Sequence, residues 1–436
     1  MIVAKFGGSS LADSDVFRQV RGIIEDDPQR RFIVVSAPGK RHSRDAKITD
    51  MLMDCHRKAQ IGQSFDVEFA GVYGRFRELA TQLGMPGALD EPLGELRTAI
   101  QEGTTRDYIV SRGEYLCARL MAAWMNLPFV DARDVVRFNR HGRLMLEDTL
   151  RLLREHLLKH ERAVLPGFYG ADSEGAIHTF TRGGSDISGA LAAAAVDAEL
   201  YENWTDVTGF RAVDPRIIPD ASFISTLTYR ELRELSYMGA SVMHEEAIFP
   251  VRHAGIPTSI RNTGNPQHPG TLILPSPRQI GRLPAVTGIA GKRGFSTIIL
   301  EKNQMNDEIG FGRKVLSVLE ENHLNFEHLP TGIDALCVMV NSQALLKVRQ
   351  KVLDEIEQAV HPDHISVQEG IALVACVGAG LFRMHGTIAR LFSAVSESGI
   401  PIRTMFQAPS ELSIIIGVNE GDLEKAIISI YDAFIR

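Results

Sequence analysis

Short apolar runs alternate with amphipathic stretches through roughly the first 270 residues of the sequence. The run MIVAKF at residues 1–6 predicts a β-strand, and the apolar spacing that follows predicts a helix from Asp13 to Ile24. The same alternation predicts further strands in RFIVVSAPG, LPFVDARDVV, RAVLPGFYG, ELYENWTDVTGF and GIPTSIRNT. Strands separated by helices favour an α/β fold, with a mainly parallel sheet sandwiched by helices.

The pattern changes after LPSPRQIGRLPA, residues 274–285. This stretch holds three prolines and a glycine without apolar periodicity, so it predicts a linker. Beyond it, an order of strand, helix, strand and strand occurs twice, at an offset of about 76 residues. The repeat predicts two βαββαβ units. A more specific interpretation is a tandem small-molecule sensor that dimerises by joining sheets side by side.

Composition and charge argue against some classes of binding partner. Hydrophobic residues make up 44% of the chain and the formal net charge is −7, so nothing favours nucleic acid or an anionic membrane as a partner. The basic run GKRHSR, residues 39–44, is either a solvated loop or a small-anion site. Neither a signal peptide nor a spanning segment is recognisable, and the four cysteines form no CxxC or zinc pattern. We therefore expect a cytoplasmic protein with reduced thiols.

Two glycine turns carry the candidate chemistry. KFGGSS, residues 5–10, ends a strand, and its glycines let backbone N–H groups turn toward an anion while Lys5 adds a full charge. The spacing is not that of a Walker A motif, and a plain strand-to-helix turn is an equal alternative. TRGGSD, residues 181–186, precedes a second helix, and both turns can face one crevice. Arg182 suits a two-point grip on a carboxylate, and Asp186 either caps the helix or orients a lysine or amine.

Three other stretches add polar groups. SRGE places Glu114 at the predicted start of an amphipathic helix, where it is either a solvated first-turn residue or a receptor for an ammonium group. NWTDVTGF places Thr205 and Asp206 at the end of a strand, a common position for ligand contacts. DPR offers Arg216 to nucleotide phosphates, or forms an ordinary Asp-Pro turn.

Taken together, these motifs resemble the aspartate kinase (aspartokinase) family, which has an amino-acid kinase fold followed by paired ACT domains. KFGGSS, VVSAPG, SRGE, TRGGSD, WTDVTGF, DPR and LSYMGASVMH occur in the family's order and cover essentially the whole chain. The resemblance implies a catalytic domain over 1–278 and a linker over 279–299 that contributes a strand to the second ACT unit. The two ACT units would span 300–368 and 369–436.

The resemblance also implies a reaction, in which ATP phosphorylates the side-chain carboxylate of L-aspartate to 4-phospho-L-aspartate and Mg²⁺ bridges the phosphates. This step opens the routes to lysine, through diaminopimelate, and to threonine and methionine. The implied catalytic residues are Lys5, Arg182 and Asp186. The implied aspartate ligands are Ser36, Thr49, Glu114, Arg182 and Ser185. The implied nucleotide ligands are Lys5, Gly7, Gly8, Ser9, Thr205, Asp206, Arg211 and Arg216.

Some positions depart from the family pattern. Ser241 stands where many members carry a lysine, and Arg211 stands where many carry an aromatic residue near the adenine. The segment SAPGKRHSRDAKITD is longer than in some members, and its Lys40, His42 or Lys47 would then contribute a charge to the site.

Regulation is expected in the C-terminal repeat. The resemblance implies an effector site with Met305, Asn306, Gly310, Glu327 and Asp334, a lysine or threonine effector, and a homodimer or tetramer formed through the ACT domains. TGI, residues 331–333, replaces the family's Thr-Ser-Glu run, so the effector's identity stays open. Two alternatives remain, another amino-acid kinase, such as one for glutamate or acetylglutamate, and a catalytically inactive sensor. SRGE and the doubled ACT tail argue against the first, and Lys5, Arg182 and Asp186 argue against the second.

Overall fold

A computed structural model describes residues 1–181, 183–240, 245–281, 283–407 and 410–436, excluding the side chains of Glu245 and Glu246. The chain forms two compact units, and neither is one continuous stretch of sequence. The first unit comprises Met1–Phe210, Phe223–Leu232 and Ser241–Gly281. The second comprises Arg211–Ser222, Arg233–Ala240 and Arg282–Arg436.

The strands of the first unit are mostly parallel. They are β1 (Ile2–Phe6), β2 (Arg30–Val35), β3 (Ala163–Pro166), β4 (Tyr169–Ala171), β5 (Ile177–Thr179), β6 (Leu200–Thr205), β7 (Thr226–Thr228), β8 (Thr258–Asn262) and β9 (Thr271–Leu274). Within the described residues the main sheet has the order β3-β2-β1-β6-β8-β9-β7, and β4 pairs with β5 in a separate hairpin. The pairs from β3 through β8 are parallel, whereas β9 runs antiparallel to β8. The predicted fold class is confirmed.

Helices flank this sheet. They are α1 (Ser14–Asp26), α2 (Ile48–Gln60), α3 (Asp66–Gln82), α4 (Asp90–Gln101), α5 (Arg106–Met125), α6 (Ala132–Val135), α7 (Leu146–Leu157), α8 (Gly184–Ala195), α9 (Tyr229–Tyr237) and α10 (Phe249–His253). The helix predicted from residue 13 to 24 is α1. The carboxylate of Asp13 caps α1 by accepting from the amides of Asp15 and Val16 at 3.0 Å.

The central strand β1 is buried along its whole length, and apolar side chains fill the space around it. Phe17, Val20 and Ile24 recur on one face of α1 and are fully buried. The ring of Phe6 stacks on Trp204 of β6, with 6.0 Å between the ring centroids. A parallel strand with such a core on its faces reads as a continuous apolar run, as MIVAKF does apart from Lys5.

One predicted strand is wrong. LPFVDARDVV contributes only a bridge from Phe129 to Val164, and its later part forms the short helix α6. The reason is local, because the Asp131 carboxylate accepts a hydrogen bond from the Arg133 amide at 3.0 Å and caps a helical turn. The sequence interpretation also missed β7 and β9, whose three and four residues are too short to show alternation.

The second unit contains the predicted repeat. Its strands are β10 (Gly288–Glu301), β11 (Phe326–His328), β12 (Ala335–Asn341), β13 (His364–Val377), β14 (Thr404–Gln407) and β15 (Ser413–Asn419). Its helices are α11 (Phe311–Glu321), α12 (Ser342–Val360), α13 (Thr387–Glu397) and α14 (Leu423–Phe434). Helix and strand types follow the same order in both copies, which confirms the repeat.

Both copies share one sheet of order β11-β12-β10-β13-β15-β14 within the described residues. The long central strands β10 and β13 pair antiparallel over most of their length, with irregular register between Lys292 and Thr297. Gly294, at φ 92°, lies in this stretch. The edge strands β11 and β14 contact each other through two rings, since His328 and Phe406 stack with their centroids 4.0 Å apart.

A buried ion pair joins two strands inside the first unit. The guanidinium of Arg30 donates to both carboxylate oxygens of Glu202, at 2.7 and 3.1 Å, and both side chains are almost fully buried. The indole of Trp204 donates to the same carboxylate at 2.9 Å. Such a pair is costly to break, because the remaining charge stays buried without its counter-charge.

Replacing Glu202 by Gln is expected to lower the free energy of unfolding by about 3–5 kcal/mol, since it leaves the Arg30 guanidinium buried and unneutralised. Denaturant unfolding of the two proteins measures the difference. The matched control is Glu155→Gln, which breaks an exposed pair with Arg151 and should change stability by less than about 1 kcal/mol. Equal losses in the two variants would contradict the prediction.

Candidate active site

The carboxyl ends of parallel strands converge at one edge of the first sheet. The segments that leave them are hydrogen-bonded to neighbouring strands, with the amide of Gly7 donating to Trp204 at 2.9 Å and the amide of Ser36 donating to Phe6 at 3.1 Å. The amide of Gly167, after β3, donates to Val35 at 2.9 Å. Loops at such an edge form a crevice that commonly binds ligands.

The first glycine turn requires its glycines. A Cβ on Gly8 would lie 2.9 Å from the carbonyl oxygen of Ala37, and a Cβ on Gly39 would lie 2.6 Å from the carbonyl carbon of Gly8. The Gly39 amide donates to Gly8 at 2.8 Å, which joins the segments after β1 and β2. A 3₁₀ turn starts at Gly8, and Ser9 in it is exposed. The first amides of such a turn have no acceptor within it and can bind an anion.

Lys5 lies in β1 directly before this turn. Its ammonium nitrogen lies 2.5 Å from Oδ1 of Asp186, and its side chain is only 8% exposed. The side-chain Nδ2 of Asn203 donates to the same Asp186 oxygen at 2.8 Å. The Oδ1 of Asn203 lies 3.4 Å from the Lys5 nitrogen. The ammonium group is therefore held in one position by two side chains.

Of the two interpretations of Asp186, the structure supports contact with a lysine. Asp186 lies in the first turn of α8, whose N-cap residue, Gly183, has no side chain to cap it, and the Asp186 carboxylate contacts Lys5 and Asn203 instead. Asn203, which binds both members of the pair, was missed from the sequence. The available signal was the polar pair Glu202 and Asn203 inside a predicted strand, and the structure buries both side chains.

The second glycine turn packs tightly against the loop after β3. Gly183 has φ 57°, and a Cβ on Gly167 would lie 2.8 Å from the Cα of Ser185. The hydroxyl of Ser188 accepts from the amide of Phe168 at 3.0 Å. These contacts place the start of α8, with the half-buried Ser185, at the same edge of the sheet as Gly7. Arg182 lies outside the described residues.

Glu114 is neither in a first turn nor solvated. Helix α5 begins at Arg106 because Thr105 accepts from the Tyr108 amide and caps it, so Glu114 lies well inside the helix and is 6% exposed. Its Oε2 has no hydrogen-bond partner among the described residues. Burial raises the pKa of Glu114 to about 8, although the backbone N–H groups of Ala37 and Glu114 itself partly oppose that rise.

The segment after β2 lies beside Glu114. A Cβ on Gly113 would lie 2.9 Å from the Cβ of Ala37 and 3.3 Å from Ile48, so α5 contacts this segment directly. Ser36 is its first residue, and Thr49, in the first turn of α2, is half-buried. The basic residues of the segment, Lys40, His42 and Lys47, are exposed.

The predicted nucleotide residues fall in both compact units. Thr205 ends β6 as predicted, and its hydroxyl donates to the exposed Asp206 at 3.1 Å. Arg211 and Arg216 belong to the second unit, where Arg211 donates to the carbonyl of Ala221 at 2.6 Å. Arg216 is 87% exposed and binds Asp214 at 2.6 Å, and this hydrogen bonding lowers the pKa of the Asp214 carboxyl. Ser241 lies outside the described residues.

Four of the five predicted effector residues lie around the turn between β10 and α11. Met305 is buried, the Asn306 amide donates to the carbonyl of Ile333 at 3.1 Å, and Gly310, at φ 85°, precedes α11. Asp334 accepts from the amide of Gln304 at 2.8 Å. They therefore form one local cluster within the second unit.

The fifth, Glu327, is on β11 and already has partners. The hydroxyl of Tyr237 donates to its Oε2, and the ammonium of Lys292 lies 4.0 Å from its Oε1. Burial, assisted by this carboxylate, raises the pKa of Tyr237 to about 12. An amino-acid effector at Glu327 would have to share or displace these contacts.

Comparison with known proteins matches both parts of the chain. Residues 1–262 match the amino acid kinase family, and residues 374–434 match the ACT domain. The chain is 36% identical to aspartokinase 3 of Bacillus subtilis over 100% of its own length and 98% of that protein. The chain belongs to the aspartokinases.

Solved structures agree with this assignment. The crystal structure of the aspartate kinase of Clostridium acetobutylicum, described as an allosteric enzyme, has a TM-score of 0.91 and 43% identity, covering 99% of both chains. E. coli aspartokinase III in complex with lysine and aspartate has a TM-score of 0.76 over 100% of both chains, but at 24% identity it supports the fold alone.

Some relatives are longer. This aspartokinase is 29% identical to the bifunctional aspartokinase/homoserine dehydrogenase of Haemophilus influenzae, but spans only 56% of that protein. Among the described residues, no helix is long and apolar enough to cross a membrane, and no cluster of three His, Cys, Asp or Glu side chains suits a metal ion.

The burial of Glu114 predicts a pH-dependent cost in stability. Its pKa is about 8 when folded and about 4.3 when unfolded, so the folded protein holds this proton more tightly between those values. Stability therefore falls as pH rises through this window, by up to about 1.4 kcal/mol per pH unit. Glu114→Gln removes this loss, so its melting temperature should rise relative to wild type as pH is raised across the window.

Thermal unfolding at the two ends of that window tests the prediction. Glu95→Gln, at an exposed position of the same unit, should show a constant difference from wild type. A Glu114→Gln difference that is equally independent of pH would mean that the buried carboxyl titrates normally.

Proposed function

We propose that this aspartate kinase transfers the γ-phosphoryl group of ATP to the side-chain carboxylate of L-aspartate at the carboxyl edge of its first sheet. The observation that carries the proposal is the position of Lys5. Its ammonium is buried, held by Asp186 and Asn203, and directly precedes a turn in which the backbone comes close enough to require glycine. This arrangement suits a phosphoryl group that gains charge on its oxygens during transfer.

The chemistry explains the absence of a general base from the proposed machinery. A carboxylate is already a nucleophile, so the protein needs to align two anions and offset their charge. Lys5 would contact the transferring group, and the turn amides at Gly8 and Ser9 would bind phosphate oxygens. Gly7 would contribute by its close backbone approach, because its amide already donates to Trp204. Asp186 acts on Lys5 rather than on the substrate, because it holds the ammonium nitrogen 2.5 Å away. We therefore assign it a positioning role.

The aspartate pocket is proposed around Glu114. Its buried Oε2, which has no partner among the described residues, would receive the α-ammonium group and thereby replace the lost hydration of both charges. Ser36, Thr49 and Ser185 lie on the segments that border the same edge and would bind the substrate's oxygens. Arg182, in the motif TRGGSD, would bind the α-carboxylate of aspartate.

The nucleotide would extend from the turn toward Thr205 and Asp206 within the first unit. The roles of Arg211 and Arg216 as phosphate or base contacts are proposed from the family resemblance. Glycine amides and cations suit a nucleotide whose phosphates hold Mg²⁺, and the exposed carboxylate of Asp206 offers an additional oxygen donor. The metal would offset negative charge on the phosphates when bound. No cluster of three protein ligands is needed for this arrangement.

Replacing Lys5 by Ala should lower kcat by about 10²–10³-fold and change the KM for aspartate much less, because the lost contact strengthens in the transition state. Coupled detection of ADP measures both constants, and a panel with glutamate and acetylglutamate tests the choice of substrate. Lys159→Ala, at an exposed position, is the control. A near-normal kcat in Lys5→Ala would refute the phosphoryl role.

We also propose that the second unit regulates the kinase. A cytoplasmic homodimer, joined through the ACT domains, would bind an end-product amino acid and lose kinase activity. The repeat supports this proposal, and the Clostridium relative is described as allosteric. An effector works only by binding one arrangement of the protein more tightly than another. Lysine is the first candidate, because Glu327 would pair with a cationic side chain.

Titration with lysine, threonine and methionine, singly and in pairs, tests this regulation. If Glu327 binds lysine, Glu327→Gln should raise the half-inhibitory lysine concentration by about tenfold, equivalent to about 1.4 kcal/mol. Tyr237→Phe removes only the internal hydroxyl and should leave that concentration within about threefold of wild type. Equal desensitisation by both would mean that Glu327 acts through α9, and indifference to all three amino acids would refute the regulatory proposal.

A further inference from the structure

The segment between β2 and α2, residues 36–47, has no regular secondary structure, yet it borders the proposed aspartate pocket. A loop of this length has many conformations, and a site that depends on it must hold one of them. Its own sequence supplies little apolar anchoring, because residues 40–44 are all exposed. Its first residues are hydrogen-bonded to Phe6 and Gly8, and the further contacts that hold the loop come from a neighbouring helix.

Arg75 of α3 provides those contacts. Its side chain is 8% exposed, and its guanidinium has four partners in two loops. Nη2 donates to the carbonyl of Gly39 at 2.7 Å and to that of Ala12 at 3.3 Å. Nη1 donates to the carbonyl of Ala46 at 3.1 Å and pairs with Asp45 at 3.1 Å.

These partners lie at both ends of the loop and at the end of the turn that follows β1. Gly39 is the residue whose amide binds Gly8, so fixing its carbonyl also fixes the contact between the two glycine-bearing segments. Ala12 ends the turn that follows Lys5, while Asp45 and Ala46 close the far end of the loop. A planar guanidinium reaches all four acceptors at once, whereas a lysine ammonium, as a point charge, does not.

We call Arg75 and its four partners the Arg75 anchor, and Asp45 is its acidic member. It accepts from the Arg41 guanidinium at 2.9 Å and from the Arg41 amide at 3.1 Å, in addition to pairing with Arg75. The hydrogen bond from Arg41 and the charge of Arg75 hold the pKa of the Asp45 carboxyl well below its usual range. The anchor therefore keeps its charge throughout the pH range in which an enzyme assay is run.

We propose that Arg75 is a positioning residue for the kinase reaction, holding residues 36–47 in the conformation that binds aspartate. The inference rests on the proposed function in one respect, namely that Ser36 and Thr49 contact aspartate. Without the anchor, the loop would occupy its binding conformation for only part of the time. Apparent affinity falls by that fraction, whereas saturating substrate restores the occupied state.

The kinetic test compares Arg75→Met, Arg75→Lys and wild type. Both variants should raise the KM for aspartate by about tenfold and lower kcat by less than about threefold, a division that reports on binding rather than on the transition state. Arg77→Met is the matched control, because Arg77 is exposed on the same helix and lies over the ring of Tyr73 at 6.0 Å. A wild-type KM in Arg75→Lys would overturn the need for the guanidinium, and hence the proposal.

Limited trypsin digestion tests the anchor without reference to activity. The loop carries exposed cleavage sites after Lys40, Arg41, Arg44 and Lys47. In both Arg75 variants, cleavage at these sites should be at least about tenfold faster than in wild type and Arg77→Met, and saturating aspartate should slow it.

The two readouts separate the possible failures. Faster cleavage with an unchanged KM would show an anchored loop that does not position aspartate, and it would overturn the proposal. Unchanged cleavage would overturn the anchor itself. A failure of the proposed function appears elsewhere, as a wild-type protein that forms no ADP in response to aspartate.

Discussion

The parallel pairing of β1 with β2 and β6 is the constraint on which the site depends. It brings the carboxyl ends of three strands to one edge, and everything assigned to chemistry in the first unit follows one of those ends or packs against it. The register pairs Lys5 with Asn203, so the strand pairing itself sets one side of the ammonium's surroundings. Helix α8 supplies the other side through Asp186. The sheet and α8 thus hold the Lys5 ammonium group in one position, although a lysine side chain is otherwise flexible.

Buried charges occur in the first unit in two forms. The Arg30–Glu202 pair has both charges compensated, and the carboxylate also accepts from the Trp204 indole. Glu114 has an oxygen without a partner among the described residues and a raised pKa, which makes it a source of instability in the ligand-free protein. A buried carboxyl of this kind is typical of sites where binding takes precedence over stability.

The sequence was sufficient for β1, β2, β3, β6 and β8, for α1, for the repeat, and for the two glycine turns, because each of these is encoded by local periodicity or by the special conformations of glycine. It did not predict the burial of Glu114, since the cap at Thr105 moves the helix start upstream by local hydrogen bonding. Nor did it identify Asn203 or Arg75, whose partners are distant in sequence. The second half of one predicted strand is instead the short helix α6, because the Asp131 side-chain cap outweighs a short apolar run.

The sharing of β10 and β13 between the two repeats has a consequence for the history of this region. In a tandem array of independent modules, one copy can be lost or exchanged by recombination while the other survives. Here β10 supplies a strand to both halves, so excising either repeat would leave long backbone edges without partners. Exposed edges of that kind template aggregation. Loss of either repeat alone would expose such an edge, so recombination is expected to remove or exchange the two repeats together.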